Sequence, residues 1–237
     1  MAEYHRPSIA VLASGGASTM EAFVHASQEG IVDADVSLVI SDRPENGSFE
    51  VVQRLNKQYG LDIRTEEVNA HRYPLGPQER GQTLQEAEII SKLVDDEGCA
   101  LVALMGYLKI VAKDGDLMRK YGWNPSYAER FGSSASPHGI LECRMLNTHP
   151  GILPATANTY GIHAQERVLR FGLTETAHTV HAVAAGVDTG PKYAEHPVPV
   201  LTGDDADKLF KRVQRIEKAN LPIDIDNFLK QQAEMKG

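Results

Sequence analysis

The chain has 237 residues, 42% of them apolar, with 24 Lys plus Arg against 32 Asp plus Glu, 20 Gly and 12 Pro. That composition fits an ordinary soluble globular protein of one large or two small domains and excludes disordered and fibrous classes. A net charge of −8 argues against a general nucleic-acid or membrane-surface binder, because affinity for polyanions comes from clustered Lys and Arg. Any phosphate site must therefore be built locally. The longest apolar stretch, Cys99 to Met105, is far below the ~20 residues of a membrane helix. The opening MAEYHRPSIAVLAS has no long apolar region and no small-residue cleavage pattern, which predicts a cytoplasmic protein. Cys99 and Cys143, the two cysteines, sit in apolar settings and read as reduced core thiols.

In chain order, short and nearly continuous apolar runs at Ser8 to Ala13, Val36 to Ile40, Ala100 to Met105 and Arg144 to Leu146 suit strands covered on both faces. Helix-period segments lie between them. Ser18-Thr19-Met20-Glu21 has capping-box spacing and opens one that puts Met20, Phe23 and Val24 on a single face; Gly47 to Tyr59 and Gln82 to Val94 continue the alternation. The first hundred residues thus read as βαβαβαβ with a parallel sheet. After Gly106 we expect a helical stretch near Leu108, an irregular Gly/Ser/Pro-containing segment, and a strand ending in Asn147. A helix from about His163 to Phe171 and strands Ala177 to Ala184 and Lys192 to Val200 follow. Asp204 and Asp205 supply an acidic, capped first turn for a helix burying Leu209, Phe210, Val213 and Ile216, and Pro222 is expected to open a final helix. The fold class is α/β: a Rossmann-like, doubly wound, mostly parallel central sheet with an antiparallel C-terminal portion.

Four features carry chemistry. The turn Ser14-Gly15-Gly16-Ala17-Ser18-Thr19 joins a strand to a helix, so its backbone N–H groups and the positive helix end make an anion site without lysine. It matches neither the dinucleotide nor the Walker fingerprint, and a plain tight βα turn is the alternative. In Asn147-Thr148-His149, an amide and an imidazole two residues apart share a strand face at the end where ligands of open α/β sheets bind; the amide can stabilise an oxyanion and the imidazole can carry a proton. In Gly186-Val187-Asp188-Thr189-Gly190, an acid flanked by glycines is either functional or a turn residue bonding its own backbone. Glu217 lies four after Val213 and seven after Phe210, on the apolar helix face, where a carboxylate needs donors or a cation; a substrate amine or a structural Arg would serve. Among the nine His, those at 138, 149, 163, 178, 181 and 196 contain one close pair, His178 and His181, which on a strand face opposite sides; no metal site is expected. The serines of 133–136 lack a strand-to-helix elbow and read as connector.

These residues lie in segments that resemble the phosphoribosylglycinamide formyltransferase family, the folate-dependent transformylases of purine synthesis: VLASGGASTMEAF, VISDRP, LMGYLKIV, MLNTHPGILP, TVHAVAAGVDTGP and VPVLTGDDADKLFKRVQRIEKANLP. The resemblance implies a single formyltransferase domain over 1–237, with a phosphate-binding half at 1–106 and a folate-binding and catalytic half at 107–237. It implies Asn147, His149 and Asp188 as the catalytic set, with His181 beside the formyl-folate. Gly16, Ala17, Ser18 and Thr19 would hold the ribonucleotide phosphate and Glu217 the glycinamide end. Leu108, Lys109, Ile110 and Val111, together with Asn147, would contact the folate, and Arg80 is the counterpart of a folate-contacting arginine.

The implied reaction is formyl transfer from the co-substrate 10-formyltetrahydrofolate to the amine of glycinamide ribonucleotide, without metal. In that reaction the Asp188 charge is expected to raise the His149 pKa and hold the ring partly protonated. Expected partners are small-molecule substrates, with no nucleic acid or membrane, for a monomer or homodimer. Alternatives are formyl transfer to another amine such as a nucleotide-linked amino sugar, a formyltetrahydrofolate hydrolase, a non-catalytic nucleotide-binding protein, and a metal-dependent hydrolase built on the histidines. The chain is expected to lack room for an added tRNA-binding domain and to lack an N-terminal regulatory domain, which disfavours the tRNA and hydrolase versions. Three segments depart from the family pattern: the phosphate turn, which lacks a further glycine and an asparagine, the long connector from Lys113 to Cys143, and ATANTYGIH after Pro154.

Overall fold

A computed structural model describes residues 6–43, 45, 47–69, 81–126 and 137–236, for 137 and 138 the backbone alone. Strand β1 (Ser8–Ala13) is the apolar run expected, and Ile9 to Ala13 are fully buried because helices cover both faces of a doubly wound sheet. It leads through α1 (Ser18–Gln28), β2 (Asp35–Ser41), α2 (Ser48–Tyr59), β3 (Arg64–Glu67), α3 (Leu84–Asp96) and β4 (Leu101–Leu104). Next come α4 (Asp116–Tyr121), α5 (Pro137–Leu141), β5 (Met145–His149), α6 (Ile162–Arg170), β6 (Glu175–Ala182), β7 (Lys192–Pro199) and α7 (Ala206–Lys236). The sheet has 7 strands in the order β3-β2-β1-β4-β5-β6-β7. Pairings from β3 to β5 are parallel, and those of β5 with β6 and β6 with β7 are antiparallel. This is the mixed α/β architecture read from the sequence.

The strand order reverses between β1 and β4. Right-handed crossovers in opposite directions from that point place α1 and α2 on one face and α3 on the other. In agreement, α1 packs against α2 and α7, and α3 packs against α4. A smaller apolar cluster, Val168, Val198, Leu209 and Val213, fixes α6, β7 and the first half of α7 to one another. Both cysteines are buried and free, and burial raises the thiol pKa of each, to about 12 for Cys143.

Several elements differ from expectation, each for a physical reason. The helix expected near Leu108 is absent: Leu108 N–H donates to Ser14 Oγ at 2.9 Å and Ile110 C=O accepts from Gln82 N–H at 2.8 Å, so the backbone is spent on neighbours instead of on its own next turn. Ser18 is not an N-cap. The chain enters α1 from Ala17 in the left-handed region (φ 53), and no side chain caps the helix. The reciprocal capping box belongs to Thr83 and Glu86, at the start of α3.

Pro222 does not open a helix but lies inside the 31-residue α7. Its missing N–H costs about 3 kcal/mol in an isolated helix. The buried stripe of Leu209, Val213 and Leu221 continues unbroken through Ile225, Phe228 and Leu229, and this burial on both sides of the proline holds the helix together. Asp205 does cap α7, accepting the Lys208 N–H at 2.8 Å. The connector serines of 133–136 lie outside the described residues.

Candidate active site

The carboxyl ends of β1 and β4, where the strand order reverses, are joined through one serine. Ser14 N–H donates to the Gly106 carbonyl at 3.1 Å, its hydroxyl donates to the Asp42 carboxylate, and its oxygen accepts from Leu108 N–H. Gly15, Gly16 and the left-handed Ala17 then carry the chain into an uncapped helix. The leading N–H groups of α1 therefore remain available to an anion. They border a cleft of about 620 Å³ that also reaches Leu108 to Val111, Asn147, His149, His181, Asp188 and Glu217, a volume in the range of small-molecule sites.

Three of these groups sit on paired strands. Asn147 on β5 stands directly opposite His181 on β6. The His181 Nδ1–H donates to the Ala182 carbonyl at 2.9 Å, which leaves Nε2 to accept from the Asn147 amide at 3.0 Å. His149, at the end of β5 and 2% exposed, donates from Nε2 to Thr156 Oγ1 at 3.0 Å, whose own hydroxyl donates to the Ile152 carbonyl at 2.8 Å. That chain sets the tautomer, so Nδ1 carries the lone pair.

Asp188 closes the group from the β6–β7 loop. Its carboxylate lies 3.6 Å from His149 Nδ1 and 3.5 Å from His181 Nε2, and accepts from the Asn158 N–H at 2.9 Å. The loop is held at its end by Gly190, where a Cβ would meet the Ala182 carbonyl oxygen at 1.8 Å. The sequence-predicted set Asn147, His149 and Asp188 is thus one cluster.

Its electrostatics differ from expectation in one respect. Burial dominates at His149 and pushes its pKa below the ordinary imidazole value; Asp188 acts upward but does not win. The direction is downward, opposite to the raised value expected from Asp188. At Asp188 burial pulls upward, yet His181, His149 and the Asn158 N–H together hold it below the usual carboxylate range.

Glu217 projects from the apolar side of α7 at 8% exposure. What meets it is a pair of hydroxyls, Thr19 at 3.2 Å and Thr148 at 3.1 Å; no arginine among the described residues pairs with it. Burial raises its pKa, with the two hydroxyls acting in the opposite direction. A raised value means that the fold binds this proton more tightly than the unfolded chain. The associated stability is complete below the unfolded carboxylate pKa and is lost as pH rises through the folded one. Glu217→Gln is therefore expected to be more stable than the parent by about 1–3 kcal/mol at neutral pH, the scale of a buried polar group's desolvation. The gap should close in acid, as read by urea unfolding at the two pH values. An equal gap at both would mean that charge is not its origin.

Other expected contacts are distributed differently. Leu108 to Val111 line the cleft, but the Lys109 ammonium is buried in an ion pair with Glu86 of α3, so what it offers the cleft is backbone. Arg80 lies outside the described residues. Sequence reasoning missed Thr156 and Asn158, which hold His149 and Asp188 from the divergent stretch after Pro154. It also missed Thr148, which joins Glu217 to His178 Nε2, 2.7 Å away. His178 is fully buried, and burial foremost, with the neighbouring His196, takes its pKa down to about 3.

Residues 139–225 match the family described as Formyl transferase. The chain resembles phosphoribosylglycinamide formyltransferase in particular. It is 28% identical over 222 residues to that protein of Bacillus subtilis, covering 93% of each. It is 48% identical over 75 residues to the one of Mycobacterium tuberculosis, a match covering 32% of this chain and 34% of that protein, so about a third of that relative is spanned. The crystal structure of glycinamide ribonucleotide transformylase 1 from Symbiobacterium toebii superimposes with a TM-score of 0.73 at 28% identity, covering 97% of this chain and 90% of that one.

Proposed function

We propose that the chain is a folate-dependent formyltransferase that moves the formyl group of 10-formyltetrahydrofolate to the amine of glycinamide ribonucleotide, a step of purine biosynthesis. One observation carries this reading: the amide of Asn147, the imidazole of His149 and the carboxylate of Asp188 meet in a single cleft. The same cleft is bordered by an uncapped helix start and a buried carboxylate. Gly16 to Thr19 take the phosphate through backbone N–H groups, and Glu217 takes the glycinamide end. Leu108 to Val111 take the folate. Residues 1–106 supply the phosphate turn and 107–237 supply the folate segment and the reacting groups.

The amine attacks the formyl carbon, a C–N bond forms, and the carbonyl oxygen becomes an oxyanion that accepts from the Asn147 amide N–H. His149 rests neutral, with its Nδ1 lone pair toward Asp188. It takes the proton that the attacking nitrogen must lose, and the resulting imidazolium is compensated by the carboxylate 3.6 Å away. The same proton then goes to N10 as the C–N10 bond breaks. Both substrates held in one cleft supply the orientation term.

The test is a spectrophotometric assay of 10-formyltetrahydrofolate consumption with and without glycinamide ribonucleotide. Turnover dependent on the ribonucleotide, with one formylated amine formed per folate released, is the expected result. Consumption without any amine would make the protein a hydrolase. Consumption that responds to a nucleotide-linked amino sugar and not to the ribonucleotide would move the substrate to that class.

A further inference from the structure

On the same sheet, but outside the reacting cluster, two histidines and an aspartate converge without a role in formyl transfer. His178 of β6 stands directly opposite His196 of β7 in the antiparallel ladder. Their rings lie parallel within 8°, with centroids 5.7 Å apart. Asp224 reaches them from α7, with its Oδ2 2.8 Å from His196 Nε2. One ligand atom from each of the three residues lies within 4.8 Å of the others.

The inner histidine is set up in a way that a hydrogen-bonded His196–Asp224 pair does not explain. Thr148 gives its hydroxyl proton to Glu217, so its oxygen can only accept from His178, and His178 Nε2 carries the hydrogen. The lone pair is then on Nδ1. That atom is buried and has no hydrogen-bond partner among the described residues. A buried acceptor left without a partner is costly and rare in a folded protein, and a histidine whose other ring N–H is fixed by an oxygen anchored on a carboxylate is the arrangement that orients metal ligands.

From this geometry we propose that His178 Nδ1, His196 and Asp224 form a binding site for a divalent first-row transition metal of the zinc type. Two imidazoles and one carboxylate are a ligand set such ions favour. The side chains of His196 and Asp224 are 28% and 11% exposed, so an ion enters from the solvent side and keeps a position for water. The site ties β6, β7 and the second half of α7 together, and it stands whether or not the chain transfers formyl groups.

The probe is Co2+, titrated into the full chain after chelator treatment and followed by its visible d–d absorption, then displaced with Zn2+. One Co2+ per chain is expected, with a nitrogen-and-oxygen spectrum. His196→Ala and Asp224→Asn, both at the partly exposed side, should each weaken it more than about 100-fold, beyond the 10–100-fold typical of outer partners. Long-range 1H–15N spectra should show Zn2+ moving the His178 Nδ1 resonance while Nε2 keeps its proton. Co2+ binding that survives both substitutions, or that perturbs His149 and His181 in place of His178, would overturn the proposal, as would a wild-type chain that takes up no Co2+. Should Asp224→Asn fail to fold, His196→Ala and the nitrogen spectra still decide it.

Discussion

Asp188→Asn is expected to lower kcat by about 10²–10⁴-fold, the range of a lost acid–base contribution, while leaving the KM for the ribonucleotide nearly unchanged. The substitution is conformationally mild. Asp188 sits at φ 54, a left-handed position that asparagine tolerates, and an amide oxygen can still accept the Asn158 N–H. What disappears is the charge facing His149 Nδ1 at 3.6 Å and His181 Nε2 at 3.5 Å. That charge raises the His149 pKa against the larger downward effect of burial, so its removal lowers the value further. Because the reaction needs the neutral ring as proton acceptor, the acid limb of the kcat/KM profile should move to lower pH in the variant even as its plateau collapses. A turnover number equal to the parent's would take Asp188 out of the mechanism. A changed ribonucleotide KM with intact turnover would make it a binding residue.

The direction at His149 also shows where sequence reasoning stops. A carboxylate was readable near the imidazole, but not that His149 is only 2% exposed, with Thr156 and Gly151 close against its Nε2, and burial outweighs the charge. The parts that could be read were those in which one element carries the whole signal: the apolar run of β1, the glycine turn after it, Asn147 and His149 two apart on β5, and Glu217 on the apolar face of α7. The parts that could not were carried by partners distant in the chain. The alternation βαβαβαβ called for a strand between α2 and α3 but did not place it, because β3 is Arg-Thr-Glu-Glu, a charged edge with no apolar run that is held by its ladder with β2. The segment 106–115 loses its helix to Ser14 and Gln82. Pro222 is inside α7 because packing on both sides outweighs a local break. Along the chain, His178 and His181 looked like the pair to consider; across the ladder, the partner of His178 is His196.

Asn147→Leu, close in size, is expected to lower kcat/KM by about 10²–10³-fold, or about 2.7–4 kcal/mol of transition-state stabilisation, as for other single oxyanion donors. The loss should fall on kcat, because the amide N–H proposed to meet the oxyanion gains strength only as negative charge develops. The amide also donates to His181 Nε2 at 3.0 Å, so part of any loss could come from a displaced imidazole. A double-mutant cycle with His181→Gln separates the two. If Asn147 acts on the oxyanion directly, its substitution costs nearly as much in the His181→Gln background as in the parent. If it acts only by orienting His181, the second loss vanishes. A loss below about tenfold in the parent would be smaller than any oxyanion donor of this kind supplies and would assign the oxyanion to another N–H of the cleft.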